Sequence, residues 1–380
     1  MTWRPASAGL IGRIPVRNIW LLMLYASRLY REIPTNRRVA VEDNPDEIPN
    51  LVAEILALAV ERRLRRNLSA DFHRRQADLN RVRGRINLLR TERRHLLEKG
   101  KIACSFEELT TNTQLNQFVK AALQELPKTL KDRDLARRCR IAATAMERAG
   151  VSNGLASIRW LGSALERSAA GRTSSEDLRM LAAARLAFSL DLPTEDPGSS
   201  RLPTPDRDNL WARRLFEAAI GGFYDTLLSP LGWLVKTGSW IDWQTEDTTP
   251  GMAAILPSMQ TDIVLERPAD CGQGSRTRTV IDTKFNHILG EGQYGNHRIR
   301  SGYLYQIYAY LRSQETDSDP LSLNASGLLL HPSVDGEIDE TATIQGHLIR
   351  FATVDLTAGS QVIRSRLLTL AQTGQAAVKL

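Results

Sequence analysis

The stretch Thr279-Val280-Ile281-Asp282-Thr283-Lys284-Phe285 decides how this chain is read. β-Branched residues lead into a carboxylate, and a lysine follows two positions later, as at the end of a buried strand. Side chains of a strand alternate faces, so Asp282 and Lys284 share one side and Thr283 takes the other. A carboxylate and an ammonium at one strand end can hold a divalent cation beside a phosphate. The pair Asp-x-Lys is common by chance, so its meaning depends on what the neighbouring segments supply.

The segment just upstream supplies a second acid. Gln260-Thr261-Asp262-Ile263-Val264-Leu265-Glu266 reads as a strand, and the intervening Arg267–Thr277 is turn-forming. The two strands are therefore expected to form an antiparallel hairpin that brings Asp262 near Asp282. Two close carboxylates repel, and a divalent cation relieves the repulsion. Magnesium suits oxygen ligands and keeps waters that can act as nucleophiles. Lys284 would stabilise charge developing on phosphate or help deprotonate a water. Glu217 lies beside the apolar stripe of a helix over Leu210–Leu228, as a third ligand or as a flank residue paired with Arg213 or Arg214. Downstream, Gln306 and Tyr310 share one face of a helix over about 298–312. Gln306 can bond a water or the DNA backbone and Tyr310 can steady it, or both can belong to a buried aromatic helix. Arg298 and Arg300 lie just before the tyrosine-rich run Tyr303–Tyr310 and can meet phosphate, as can His297, while His287 reads as loop decoration.

Farther out, the C-terminal half runs helix, three strands (233–237, 260–266, 279–285), helix, strand, with a further strand at 348–354 and a last helix over 359–373. This is an α/β order. It is set off by Leu192–Asn209, which holds four prolines and reads as a linker. The N-terminal half is helix-rich with short strands. Helices are expected from Asn18 to Tyr30, over 45–66, 113–130, 131–150 and 174–189, and more weakly near 156–167. Strands are expected within 70–90 and 101–108, with Gly84 marking a bend or a close backbone approach. Residues 1–12 read as a loose leader.

Composition bounds the function. The 380 residues carry a net charge of +7 with 42% hydrophobic residues, enough for packed cores in about two domains. The sequence pI near 9.5 fits a polyanionic partner. Glu61–Gly100 holds 13 Lys or Arg against 5 Asp or Glu, a local charge of +8 carried almost wholly by arginine. Arginine forks onto phosphate, so this stretch, with Arg81, Arg83 and Arg85 at its centre, is a candidate surface for DNA or a protein partner. Three cysteines without metal-ligand spacing point to a reducing cytoplasm and away from a zinc site. No apolar run reaches membrane-spanning length. Asn18–Tyr30 is flanked by arginines and lacks a cleavage site, so it reads as a buried helix rather than a signal core.

Asp262, the Ile281-Asp282-Thr283-Lys284 run and Gln306-x-x-x-Tyr310 together resemble the PD-(D/E)XK nuclease superfamily, the last motif its RecB-like branch. More closely, the chain resembles the McrC family. The carrying stretches are Ile14-Pro15-Val16-Arg17-Asn18-Ile19, Val82-Arg83-Gly84-Arg85-Ile86-Asn87, Cys104-Ser105-Phe106-Glu107-Glu108 with Asn112–Asn116, and the nuclease motifs. The first motif departs from the superfamily pattern, with Thr261 before Asp262 and Pro257 five positions earlier.

The resemblance implies a restriction-endonuclease-like α/β domain over 210–380, a linker over 191–209, and a helix-rich mixed α+β partner-binding domain over 1–190. It implies a magnesium-dependent endonuclease subunit that works with an McrB-like AAA+ ring, stimulates that ring's GTPase, and cuts DNA carrying modified cytosine. GTP would enter only through the ring, which agrees with the absence of a G-x-x-x-x-G-K-[ST] loop here. Asp262, Asp282 and Lys284 would take the catalytic positions with Gln306 assisting, and Glu217 would join the two aspartates as a metal ligand. Two other readings stay open: a stand-alone RecB-like repair nuclease, and a non-catalytic DNA-binding activator of a ring.

Overall fold

The computed structural model describes residues 13–153, 174–190, 205–269, 276–286, 288–291, 297–334 and 337–372. The expected leader over 1–12, the weak helix near 156–167, most of the 191–209 linker, Cys271 and His287 lie outside the described residues. The chain forms two compact units, Met1–Ile48 with Pro193–Leu380, and Pro49–Leu192. This corrects the linear division at one end: the first 48 residues belong with the C-terminal unit, not with the basic domain that follows them.

In the first of these units, α1 (Val16–Ala26) and α2 (Thr35–Asp43) precede the excursion into the second unit. Leu21, Leu22, Met23, Leu24 and Tyr25 of α1 are buried, and five consecutive residues go right round a helix, so α1 is enclosed here rather than buried along one stripe. The second unit holds α3 (Ile48–Arg66), β1 (Asp71–Leu79), β2 (Arg85–Ile86), α4 (Leu88–Arg93), β3 (Ile102–Thr110), α5 (Gln114–Glu125), α6 (Arg133–Arg148) and α7 (Ser175–Leu190). Its strands form an antiparallel sheet in the order β1-β3-β2. Thr113 caps α5 by accepting from the Asn116 amide, and Asp132 caps α6 from the Asp134 and Leu135 amides. Gly84 has φ +67°, and a Cβ there would lie 2.5 Å from the Ser105 carbonyl oxygen. Both expected roles, bend and close approach, are therefore present at this glycine.

The chain re-enters the first unit with α8 (Pro205–Leu228), β4 (Leu234–Ile241), β5 (Met259–Arg267), β6 (Thr277–Thr283), β7 (Leu289–Glu291), β8 (His297–Ile299), α9 (Ser301–Arg312), β9 (Ser326–Ser333), β10 (Asp339–Ile344), β11 (His347–Asp355) and α10 (Ser360–Ala371). One mixed six-stranded sheet runs β10-β11-β9-β6-β5-β4. The expected hairpin is there, with β5 and β6 antiparallel in the register Ile263↔Ile281. β9 pairs in parallel with β6 on one side and β11 on the other. Its residues from Ser326 to Pro332 are buried, as a strand between parallel neighbours must be.

α9 packs over β6 and β9, where Ile307, Tyr310 and Leu311 join Val280, Leu329, Ile349 and Phe351 in one core cluster. The stripe Phe216, Ile220 and Phe223 of α8 is buried as its spacing requires, and α8 lies against β4, β5, β6 and α1. The α8–α1 crossing is close. A Cβ on Gly222 would lie 2.1 Å from the Tyr25 carbonyl oxygen.

Candidate active site

The site forms where the β5–β6 ladder comes apart. Regular pairing ends at Ile263↔Ile281, one step short of Asp262 and Asp282. Beyond it the Thr283 amide turns from the strand partner to the Asp262 carboxylate, donating to Oδ2 at 2.7 Å, and the Thr283 hydroxyl donates to the same oxygen at 2.7 Å. β6 stays paired with β9 past this point, and the Lys284 amide donates to the Leu330 carbonyl at 3.0 Å. The fork leaves both carboxylates at the end of the hairpin on rigid strands.

Lys284 and Asp282 meet as their shared face demands. The Lys284 ammonium is 2.7 Å from Oδ1 and 2.7 Å from Oδ2 of Asp282. Asp282 has no solvent exposure. Burial pushes its carboxyl up to about 6, against the pull of Lys284 and with further upward push from Asp262. Glu217, from α8, is also held above the usual carboxylate range, by burial first and then by Asp262. Asp262 and Glu217 both line a cavity of about 380 Å³. The three acids are thus close enough to feel one another's charge. They are not gathered tightly: among the described residues no group of three or more His, Cys, Asp or Glu is placed to hold a metal ion. In this arrangement Lys284 engages Asp282 and Thr283 occupies one oxygen of Asp262.

Gln306 and Tyr310 share a face of α9, and the Gln306 amide donates to the Tyr310 hydroxyl at 2.5 Å. Tyr310 is buried, and its hydroxyl is pushed up mainly by burial, with Asp282, Lys284 and Asp262 all contributing to its field. Arg298 and Arg300 lie just before α9, and Arg300 is exposed and reaches the field of the buried His331 beside Lys284. Arg81, Arg83 and Arg85 lie in the other compact unit. They are exposed around β2, with the Arg83 guanidinium 4.2 Å from the centre of the Phe106 ring. Some of the basic stretch is neutralised locally, by Asp177 on Arg63, Asp78 on Arg90 and Glu108 on Arg75.

Sequence reasoning passed over four residues that shape the lysine and its neighbouring acid. The Tyr303 ring centre is 5.7 Å from the Lys284 ammonium, the Asn286 amide donates to the Tyr303 hydroxyl at 2.5 Å, and His331 Nδ1 lies 3.0 Å from the Asn286 carbonyl oxygen. Thr283 orients Asp262 as described above. Only Tyr303 carried a signal, since it lies one turn before Gln306 on the same helix.

Three likenesses accompany this geometry. A family model described as McrBC 5-methylcytosine restriction system component matches residues 10–155. The type IV methyl-directed restriction enzyme EcoKMcrBC of Escherichia coli (strain K12) is 23% identical over 343 residues, 90% of this chain and 93% of its own. Among solved structures, a refined half-complex from the tetradecameric assembly of Thermococcus gammatolerans McrB AAA+ hexamers with bound McrC aligns over 94% of this chain and 76% of that chain, at 14% identity and a TM-score of 0.40. By the family model and the E. coli relative, the chain is similar to components of McrBC restriction systems, in a likeness that meets the N-terminal motifs and extends through the α/β unit.

Proposed function

We propose that this chain is the DNA-cutting subunit of a modification-directed restriction complex and that it hydrolyses phosphodiesters at the β5–β6 fork. The observation that carries the reading is the fork itself, where the β5–β6 ladder ends beside Asp262 and Asp282, with Lys284 paired to Asp282 and Glu217 lining the same cavity as Asp262. The element order of this unit and its Gln306–Tyr310 pair support a PD-(D/E)XK nuclease domain.

The donor set fits a hard cation. Asp282 and Glu217 are pushed toward protonation by burial and by the charge of Asp262, and magnesium needs only one or two carboxylates when water and phosphate oxygens complete its shell. Asp262 and Asp282 would hold it, with Glu217 acting through water. When bound, magnesium supplies charge neutralisation and Lewis-acid activation at the phosphate. The chain's own residues do the rest. Thr283 fixes the orientation of Asp262, Lys284 presents its ammonium to the phosphate oxygens, and Tyr310 holds Gln306 for a hydrogen bond to water or backbone.

The partner in this reading is an McrB-like AAA+ GTPase ring in the cytoplasm, and the substrate is double-stranded DNA carrying modified cytosine. Likeness to McrBC components and the lack of a G-x-x-x-x-G-K-[ST] loop in this sequence support a borrowed motor. Arg81, Arg83 and Arg85 are assigned to the partner or DNA surface, and Arg298 and Arg300 to DNA beside the site.

The test combines wild type or Asp282→Ala with duplex bearing modified cytosine and magnesium, with and without the cognate ring and GTP. Wild type is expected to cut only in the complete mixture. Asp282→Ala should cut at least about a hundredfold more slowly, the scale of losing a positioned catalytic group. Equal cutting by the variant would sink the site. Cutting without the ring would point to a stand-alone nuclease, and GTPase stimulation without any cutting to a non-catalytic activator.

A further inference from the structure

The cavity that holds Asp262 and Glu217 has a second wall that the catalytic reading leaves unused. It is built by Arg214, one turn before Glu217 on α8, and by Arg31, with Thr237 and Gly238 of β4 also lining it. Arg31 comes from the N-terminal segment, far from the other residues in sequence. That segment is fastened firmly to this unit. The Asn18 side chain donates to the carbonyls of Leu356 at 2.7 Å and Ala358 at 3.0 Å, Gln361 donates to Asp43 at 2.9 Å, and Arg364 lies 3.2 Å from the buried Glu42.

A DNA backbone approaching these carboxylates meets like charge, so cations at the rim are needed to admit it. Lys284, paired with Asp282, serves the reacting phosphate and does not line this cavity. The two arginines lining the same cavity remain. Arg214 is exposed, and Arg31 keeps 57% of its side chain open to solvent while it pairs with Asp225. Guanidinium groups are planar, permanently charged and matched to phosphate oxygens.

We propose that Arg31 and Arg214 form a clamp for two neighbouring DNA-backbone phosphates, one each, on the α8 side of the cutting site, so that the N-terminal segment contributes directly to substrate binding. The clamp rests on the nuclease reading for its location, and its test does not depend on cutting. Phosphate contacts hold DNA in register and release counterions, so their number is read from the salt dependence of binding.

The experiment measures binding of a labelled unmodified duplex to the full chain without the ring, by fluorescence anisotropy over a salt series. Arg31→Gln and Arg214→Gln are each expected to reduce the slope of log K against log salt by about one, and the double variant by about two. Asp225→Asn removes the partner of Arg31 but not its charge, and should leave the slope unchanged or steeper. Arg276→Gln, at the opposite end of β6 from Asp282, should leave it unchanged. Asp282→Ala frees Lys284 and should not lower the slope whatever its effect on cutting, which separates failure of the clamp from failure of the catalytic site. Unchanged slopes in both arginine variants, no binding by wild type at low salt, or an equal loss in Asp225→Asn or Arg276→Gln would each overturn the clamp.

Discussion

Asp282 and His331 stand on neighbouring strands, both without solvent exposure, and burial drives each toward its neutral form. For the carboxyl this means upward, to about 6. For the imidazole it means downward, to about 4, with burial dominant and the Lys284 and Arg300 charges adding to it. The consequences for stability have opposite sign. His331 binds its proton more weakly folded than unfolded, so its contribution is complete above the unfolded value near 6.5 and is lost as pH falls toward 4. Asp282 binds its proton more tightly folded, so acidification through 6 stabilises the fold. Between pH 7 and 5 the histidine costs about 2 kcal/mol and the aspartate returns about 1 kcal/mol. Replacing His331 with Gln keeps a donor for the Asn286 carbonyl and removes the titration. Chemical denaturation of His331→Gln and wild type at both pH values should then show the variant gaining about 2 kcal/mol relative to wild type at pH 5. Parallel pH dependences would mean that His331 is protonated in the fold or absent from its balance.

At the scale of elements, close backbone contact decides how α1 meets α8. A methyl group on Gly222 would sit 2.1 Å from the Tyr25 carbonyl oxygen, so the helices can cross as they do only without a side chain there. Gly222→Ala should cost about 1–3 kcal/mol or more through overpacking, read as a lowered Tm. Gly302→Ala in α9 has nothing within 4 Å and should be neutral or slightly stabilising. The apolar stripe of α8, with its helical spacing, and the β5–β6 hairpin, with its alternation and turn, could be read locally. So could the placement of Asp282 and Lys284 at the end of β6, and of Asp262 across from them, because face and hairpin partner follow from the strands. β10 could not. It is an exposed polar edge, Asp339–Ile344, and its pairing depends on a two-residue turn with Gln345 at φ 47° and Gly346 at φ 89°. α2 was hidden for a similar reason, since Thr35–Asp43 mixes charges with few apolar residues. Arg31 and His331 reach the site only through tertiary topology, which local periodicity does not encode.

For the whole molecule, the discontinuous unit matters more than the linker. The Pro-rich stretch near 192–209 does mark a boundary, and Pro193 opens the C-terminal part of the first unit. The helical signals in the first 48 residues are ordinary, and nothing in them says which later segment they cover. The answer lies in the partners: α1 packs on α8, the Tyr25 and Phe223 rings meet at a tilt with centres 5.0 Å apart, and the buried Glu42 joins Tyr30 and Arg364. A fragment of residues 193–380 would therefore expose the α8 surface that α1 covers and strand Arg364 without its acid. Unpaired charge and uncovered aromatic surface both act against a packed core. Such a fragment is expected to bind a hydrophobic dye and to melt without a cooperative transition. Residues 1–48 supplied in trans should restore a cooperative melt, because the covering surface and Glu42 return with them. Pro49–Leu192, which keeps its own sheet and helices, should melt cooperatively without help. A sharp melt of 193–380 alone, unaffected by the added segment, would show that the N-terminal helices are an attachment to this unit rather than part of its core.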